Sequence, residues 1–326
     1  MITAVALAGY AALMGAAVPP VLARARWAHR APTAAVFAWQ GLMATFVVTA
    51  ALSVHHLVLG EHHVHKRLFG LLTFCGLAPS GPHGRAPLTI GEALAMAAPG
   101  LVVLLPAGWL IRCMWRARRA RGRQLDMLTL VGEPAPGFNA TIVDYDVPAV
   151  YCLSGRPSRV VVTRGALNVL SEDQLRAVLE HERAHIVGRH HLLHVLVEAF
   201  CRAFPGLPLA RHAKEQTYLM LEMIADDRAM RFHSREALAT AMCEVAAGRA
   251  PEAALGAGGS GVLIRLRRVL TPQPRPHRAI WPAVVVATGA APFLPLLLAC
   301  VAGRGHGPHP PPMCPFHGPH NPRPPR

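Results

Sequence analysis

The chain has 326 residues, of which 52% are hydrophobic and only 16% charged, a balance too apolar for an ordinary soluble enzyme that makes membrane spans the first expectation. A net charge of +15 would suit a nucleic-acid binder, yet no helix-turn-helix, finger or aromatic RNA-binding pattern accompanies it. Much of the arginine flanks apolar runs, so direct nucleic-acid binding is not expected. The seven cysteines include no C-x-x-C pair and indicate neither a disulfide framework nor a thiolate zinc cluster.

Residues 1–23 carry no charge and are followed by Arg24, Arg26 and Arg30. This reverses the charge order of a cleavable signal peptide and reads as a permanent span. Runs at 33–59 and 93–111 are each long enough to cross about 30 Å of hydrocarbon as a helix, with Pro99 and Pro106 expected to kink the latter. A fourth uncharged run, 280–302, makes a fourth span. Arg24, Arg26 and Arg30 after the first span, and Arg112, Arg116, Arg118, Arg119, Arg121 and Arg123 after the third, place those segments in the cytoplasm. Residues 112–279 are then inside, and the loop at 61–87 and both termini outside. Lys66, Arg67 and Arg85 in the outer loop dilute the bias.

Residues 112–279 have globular patterning. The alternating, β-branched stretch 158–163 predicts a strand. Ser171 followed by Gln174 has capping-box spacing, and Leu175, Val178, Leu179, Ala184, Ile186 and Val187 recur at helical intervals, so a helix starts near Ser171. Its continuation over 192–209 is apolar but broken by Glu198, Arg202, Pro205 and Pro208. That is too interrupted to span, and suits a segment on the membrane surface.

This helix carries His181-Glu182-Arg183-Ala184-His185, an H-E-x-x-H pattern. Residues four apart on a helix face the same way, so both imidazoles can reach one Zn²⁺, and Glu182 can reach a water on it as general base for peptide hydrolysis. A chain with nineteen histidines can produce the pattern by chance, but its place in a capped helix directly after a strand argues for one zinc ion per chain. A catalytic zinc needs a third protein ligand. Glu222 is the best candidate, with Asp226 one turn further on the same face to orient a ligand imidazole. On spacing alone, an acidic helix face pairing with Arg228 and Arg231 reads as well.

The stretches RVVVTRGALNVLS (159–171), DQLRAVLEHERAHIVGRHH (173–191) and EMIADDRAM (222–230) resemble the gluzincin membrane peptidases that include HtpX-like proteases and the BlaR/MecR antibiotic-sensor peptidases. Members have H-E-x-x-H on one helix and E-x-x-A/C-D on a later one. The resemblance implies His181, His185 and Glu222 as zinc ligands, Glu182 as catalytic base and Asp226 as supporting acid. It also implies that the strand Arg159 to Thr163 accepts an extended substrate as a further strand, which favours endopeptidase action. Arg228 and His233 are candidate oxyanion stabilisers, though surface positions on a helix suit them equally.

Three spans before the protease domain and one after it look like the BlaR/MecR arrangement, in which an outside signal ends in loss of a DNA-bound repressor. An HtpX-like quality-control protease and a non-catalytic receptor or scaffold with a structural zinc are the alternatives. No penicillin-binding domain is expected after the fourth span, and the tail has no Ser-x-x-Lys, so β-lactam sensing by acylation is not expected. The expected partners are a protein or peptide substrate, such as a repressor, and membrane lipids. Residues 303–326 are Pro-rich and carry His306, His309, Cys314, His317 and His320, while His55, His56, His62, His63 and His65 lie in or near the outer loop. The tail reads as a disordered, polyproline-like extension, with an outer Zn²⁺ or Cu²⁺ site as the sharper alternative. The expected fold class is α+β: a predominantly helical multi-pass membrane protein with four transmembrane helices and a cytoplasmic zincin-like protease domain of an active-site helix plus a small sheet.

Overall fold

The computed structural model describes residues 2–59, 90–154, 157–247, 259–271, 279–295 and 297. Most of the outer-loop histidines and the whole His/Pro-rich tail lie outside them. The fold is mostly helical, with one small sheet.

Three stretches are long and apolar enough to cross a membrane: Thr3–Ala23, Pro32–Val58 and Ala97–Val131. The first is α1 (Ile2–Ala12), a π-helical turn (Leu13–Ala17) and α2 (Val18–Ala23), with Pro19 and Pro20 in the first turn of α2, directly after the π-helical turn. A short helix, α3 (Arg26–Arg30), leads into α4 (Pro32–Leu59). The third stretch belongs to α5, a single helix of 42 residues (Ile90–Val131) that contains Pro99 and Pro106. It does not stop at 111 but runs through the arginine-rich segment into the first strand. The last apolar helix, named α12 below, is described as Ile280–Ala290, too short alone for a crossing. The end of the expected fourth span lies outside the described residues. This helix packs on α4 where Phe37 meets Trp281 at 5.5 Å between ring centroids. A Cβ at Gly41 would come within 1.9 Å of Thr288 Cγ2, so only glycine fits there.

The sheet comprises β1 (Gly132–Ala135), β2 (Ala140–Val143), β3 (Val150–Leu153) and β4 (Arg159–Thr163), in the order β1-β2-β4-β3. The sequence-predicted strand is therefore central: β4 pairs with β2 in parallel and with β3 antiparallel, Val162 opposite Val150. The expectation that substrate adds along β4 fails for that reason, because both its edges are taken. Among the described residues, the free edge beside the active-site helix is β3. Side chains alternate across β4, Val160 and Val162 packing with Leu175 and Leu179, and Val161 packing on the other face with Leu128 of α5.

The remaining helices are α6 (Arg164–Val169), α7 (Glu172–Val187), α8 (His190–Ala203), α9 (Pro208–Ala229), α10 (Arg235–Ala247), α11 (Gly259–Leu270) and α12. The predicted 192–209 continuation is not one run with α7. Arg189 takes a left-handed φ of 49° and starts α8 afresh, and Pro208 opens α9. One face of that segment packs on the apolar helices. Val197, Phe200 and Leu209 are buried against Trp39, Leu42 and Met43 of α4, with Phe46 edge-on to Phe200 and Phe204.

Candidate metal centre

Helix α7 starts at the predicted capping box: Ser171 Oγ accepts from the Gln174 amide, and Gln174 Oε1 accepts from the Ser171 amide at 2.9 Å. Burial of Leu175, Val178, Leu179 and Ile186 on the sheet fixes the helix's rotation and turns His181 and His185 towards α9. That helix is held by Met220, Leu221 and Met223, all buried against Ala28 of α3 and Ala35 and Val36 of α4. Glu222 therefore faces α7 from an element seated on the apolar helices.

The structure brings His181, His185 and Glu222 together, with one ligand atom of each within 4.8 Å of the others. The separations are 3.2 Å between the two Nε2 atoms, 3.5 Å from His181 Nε2 to Glu222 Oε2, and 3.4 Å from His185 Nε2 to Glu222 Oε1. A tetrahedral zinc with bonds of about 2.0–2.1 Å has ligand-to-ligand edges of about 3.3–3.4 Å; each imidazole lies near that distance from a different oxygen of the Glu222 carboxylate, so the three residues fit around one ion. Both imidazoles are largely buried and the Glu222 side chain is 32% exposed, leaving one side open.

Asp226 is 1% exposed, and its Oδ1 lies 3.1 Å from His181 Nδ1. That is ion-pair distance, short of hydrogen-bond alignment. Burial opposes charge on His181, but Asp226 and Glu222 outweigh it and raise its pKa to about 9. Burial dominates at His185, lowering it to about 4. Burial also resists ionisation of Glu222, yet the contact with His181 and the charge of Arg265 hold its pKa well below the usual carboxylate range.

Glu182, next in sequence to His181, interacts with the sheet as well as with Glu222 of α9. Its carboxylate meets the Cys152 thiol on β3, and burial pushes its pKa up, which makes it a stronger base when ionised. The same burial, reinforced by the Glu182 charge, pushes the Cys152 thiol up to about 12.

Three contacts were not predicted. Arg265 of α11 reaches both Glu222 and Asp226, His190 Nδ1 stands 2.8 Å from His185 Nδ1, and Cys152 faces Glu182. The predicted pairing of an acidic α9 face with Arg228 and Arg231 is not the one adopted at Glu222. Arg228 instead donates from Nε to Glu180 at 2.7 Å. His233 lines a separate hollow with Arg176 and Arg183, so neither oxyanion candidate is brought to the ligand triangle.

Residues 115–225, about a third of the chain, match the family model of Peptidase family M48. The match contains His181, Glu182, His185 and Glu222 and ends one residue before Asp226. It supports a metallopeptidase acting on protein or peptide, and M48 enzymes are zinc peptidases. No curated protein and no solved structure matches the chain.

Proposed function

We propose that the chain is a membrane-embedded zinc endopeptidase whose ion is held by His181, His185 and Glu222, with Glu182 as general base and Asp226 supporting His181. The observation that carries this reading is the convergence of His181, His185 and Glu222 at spacings near those around a tetrahedral zinc, with the Glu182 carboxylate next in sequence to His181 and, among the described residues, a free strand edge next to that carboxylate.

Bound zinc would polarise the scissile carbonyl and acidify the attacking water. Glu182 takes the proton from that water and hands it to the leaving amine, with no covalent intermediate. The free edge of β3 offers unpaired backbone groups to an extended peptide, which would add as a further strand and run past Glu182. Strand addition holds the chain by its backbone on both sides of the cut, which favours internal bonds over termini. A structural zinc site closes with four protein ligands; among the described residues the cluster here has three, with a base at hand, which disfavours a scaffold role.

The three long apolar helices are compatible with a membrane protein. In this reading the run at 280–302 completes a fourth crossing, the protease domain is cytoplasmic, and both termini lie outside. The cleavage is regulatory, one cut in a cytoplasmic protein such as a repressor; a spread of unrelated membrane-protein fragments would instead mark an HtpX-like quality-control protease.

The test is zinc content and peptide turnover of the purified wild type beside Glu182→Gln. Stoichiometric zinc in both, with cleavage lost only in the variant, is expected. Equal cleavage in both, or zinc in neither, would overturn the reading.

A further inference from the structure

The charge network at Asp226 continues past the ligand triangle. Arg265 clasps Asp226 with two donors, Nε to Oδ2 at 2.8 Å and Nη2 to Oδ1 at 2.7 Å, while its Nη1 lies 2.8 Å from Glu222 Oε2. Its side chain is 13% exposed. Three residues further along α11, Arg268 makes a second fork, Nη1 and Nη2 to the two oxygens of Asp227 at 2.7 and 2.8 Å. Its remaining donor, Nε, reaches the backbone carbonyl of His29 at 2.8 Å. His29 lies in α3, between the first two apolar helices.

We propose that Arg265 is a positioning residue for Glu222 and Asp226, and that Arg268 ties α11 to α3 at His29, so that docking of α11 couples the membrane part of the chain to the zinc ligand set. This rests on the zinc-peptidase reading above. One guanidinium fixes two groups: it holds Glu222 by Oε2, leaving Oε1 towards His185, and it fixes the carboxylate whose Oδ1 stands against His181. A buried fork of this kind is costly to half-break, because Asp226 is left buried and Glu222 part-buried without a cation. Undocking α11 therefore loosens a ligand and the support of a second ligand together. The far end of α11 leads in sequence to α12, which packs on α4 at Gly41 and Phe37. A shift among the apolar helices thus reaches α11 through the Arg268 contact at His29.

The experiment uses the full-length zinc-loaded protein in detergent and follows zinc release to a chromogenic chelator, with kcat and KM for a peptide substrate measured in parallel. Arg265→Gln is expected to release zinc about 10–100-fold faster and to lose kcat more than KM changes. Arg265→Lys keeps the charge without the fork and rescues only part. Arg268→Gln touches no ligand, yet is expected to speed zinc release and lower kcat by a smaller, measurable factor. Arg268→Lys keeps the buried charge, and serves if the Gln variant does not fold. Wild-type zinc release and kcat in a folded Arg268 variant would overturn the coupling; the same in both Arg265 variants would overturn the positioning role. Absence of zinc from the wild type is a different result and would sink the zinc-peptidase reading itself.

Discussion

His190 Nδ1 lies 2.8 Å from His185 Nδ1, so the imidazole whose Nε2 faces the ligand triangle is gripped from behind by a second, buried imidazole. With His185 Nδ1 supplying the hydrogen and His190 Nδ1 the lone pair, His185 is held in the tautomer that leaves Nε2 free as a donor to metal. His190→Ala should therefore weaken zinc binding about 10–100-fold in chelator competition. His190→Asn, with an amide of similar reach, should recover part of that loss. Unchanged affinity in the alanine variant would show that the contact does no orienting.

Cys152 offers a pH test of the cleft. Burial and the Glu182 charge hold its thiol up to about 12, so the reactive thiolate is scarce at neutral pH and forms only as pH climbs towards that value. Alkylation of Cys152 by iodoacetamide, followed by mass spectrometry, should stay slow at pH 8 and keep rising beyond pH 10, where a free cysteine has levelled off. Glu182→Gln removes the neighbouring charge and should shift the whole profile to lower pH. A plateau near pH 9 in the wild type would contradict the described packing of β3 on α7.

Ser171→Ala removes one half of the reciprocal cap and should cost about 1 kcal/mol at the start of α7. Because the loss is local, hydrogen exchange at the amides of residues 173–175 should speed up about fivefold, while zinc content is unchanged. Equal protection in the two proteins would mean that the cap is dispensable.

What was legible in the sequence is what depends on near neighbours. The Ser171–Gln174 box, the four-residue spacing of His181 and His185, and the alternation in β4 are local patterns, and each appears where it was read. Glu222 and Asp226 were legible as a pair on one face, but their guanidinium was not, because Arg265 lies 39 residues beyond Asp226 and no local rule reaches that far. Sheet order was hidden for a related reason. Alternation says that β4 is buried, but only its pairing with β2 and β3 shows that its edges are taken. The break between α7 and α8 had a visible signal in Gly188, although the left-handed residue proves to be Arg189 while Gly188 stays right-handed.

The uninterrupted course of α5 has a metric consequence. Forty-two residues make a rod of roughly 63 Å, and a bilayer core takes up about 30 Å of that. Near the far end of the rod, Leu125 and Leu128 sit under Leu153 of β3 and Val161 of β4. In the membrane-embedded reading, the strand edge beside Glu182 is therefore propped at a set height above the lipid. A substrate anchored in the same bilayer must cover that height with extended chain, at about 3.3 Å per residue. The helix then works as a ruler, and cuts in anchored substrates fall on the order of ten residues from the membrane surface, while soluble substrates carry no such register.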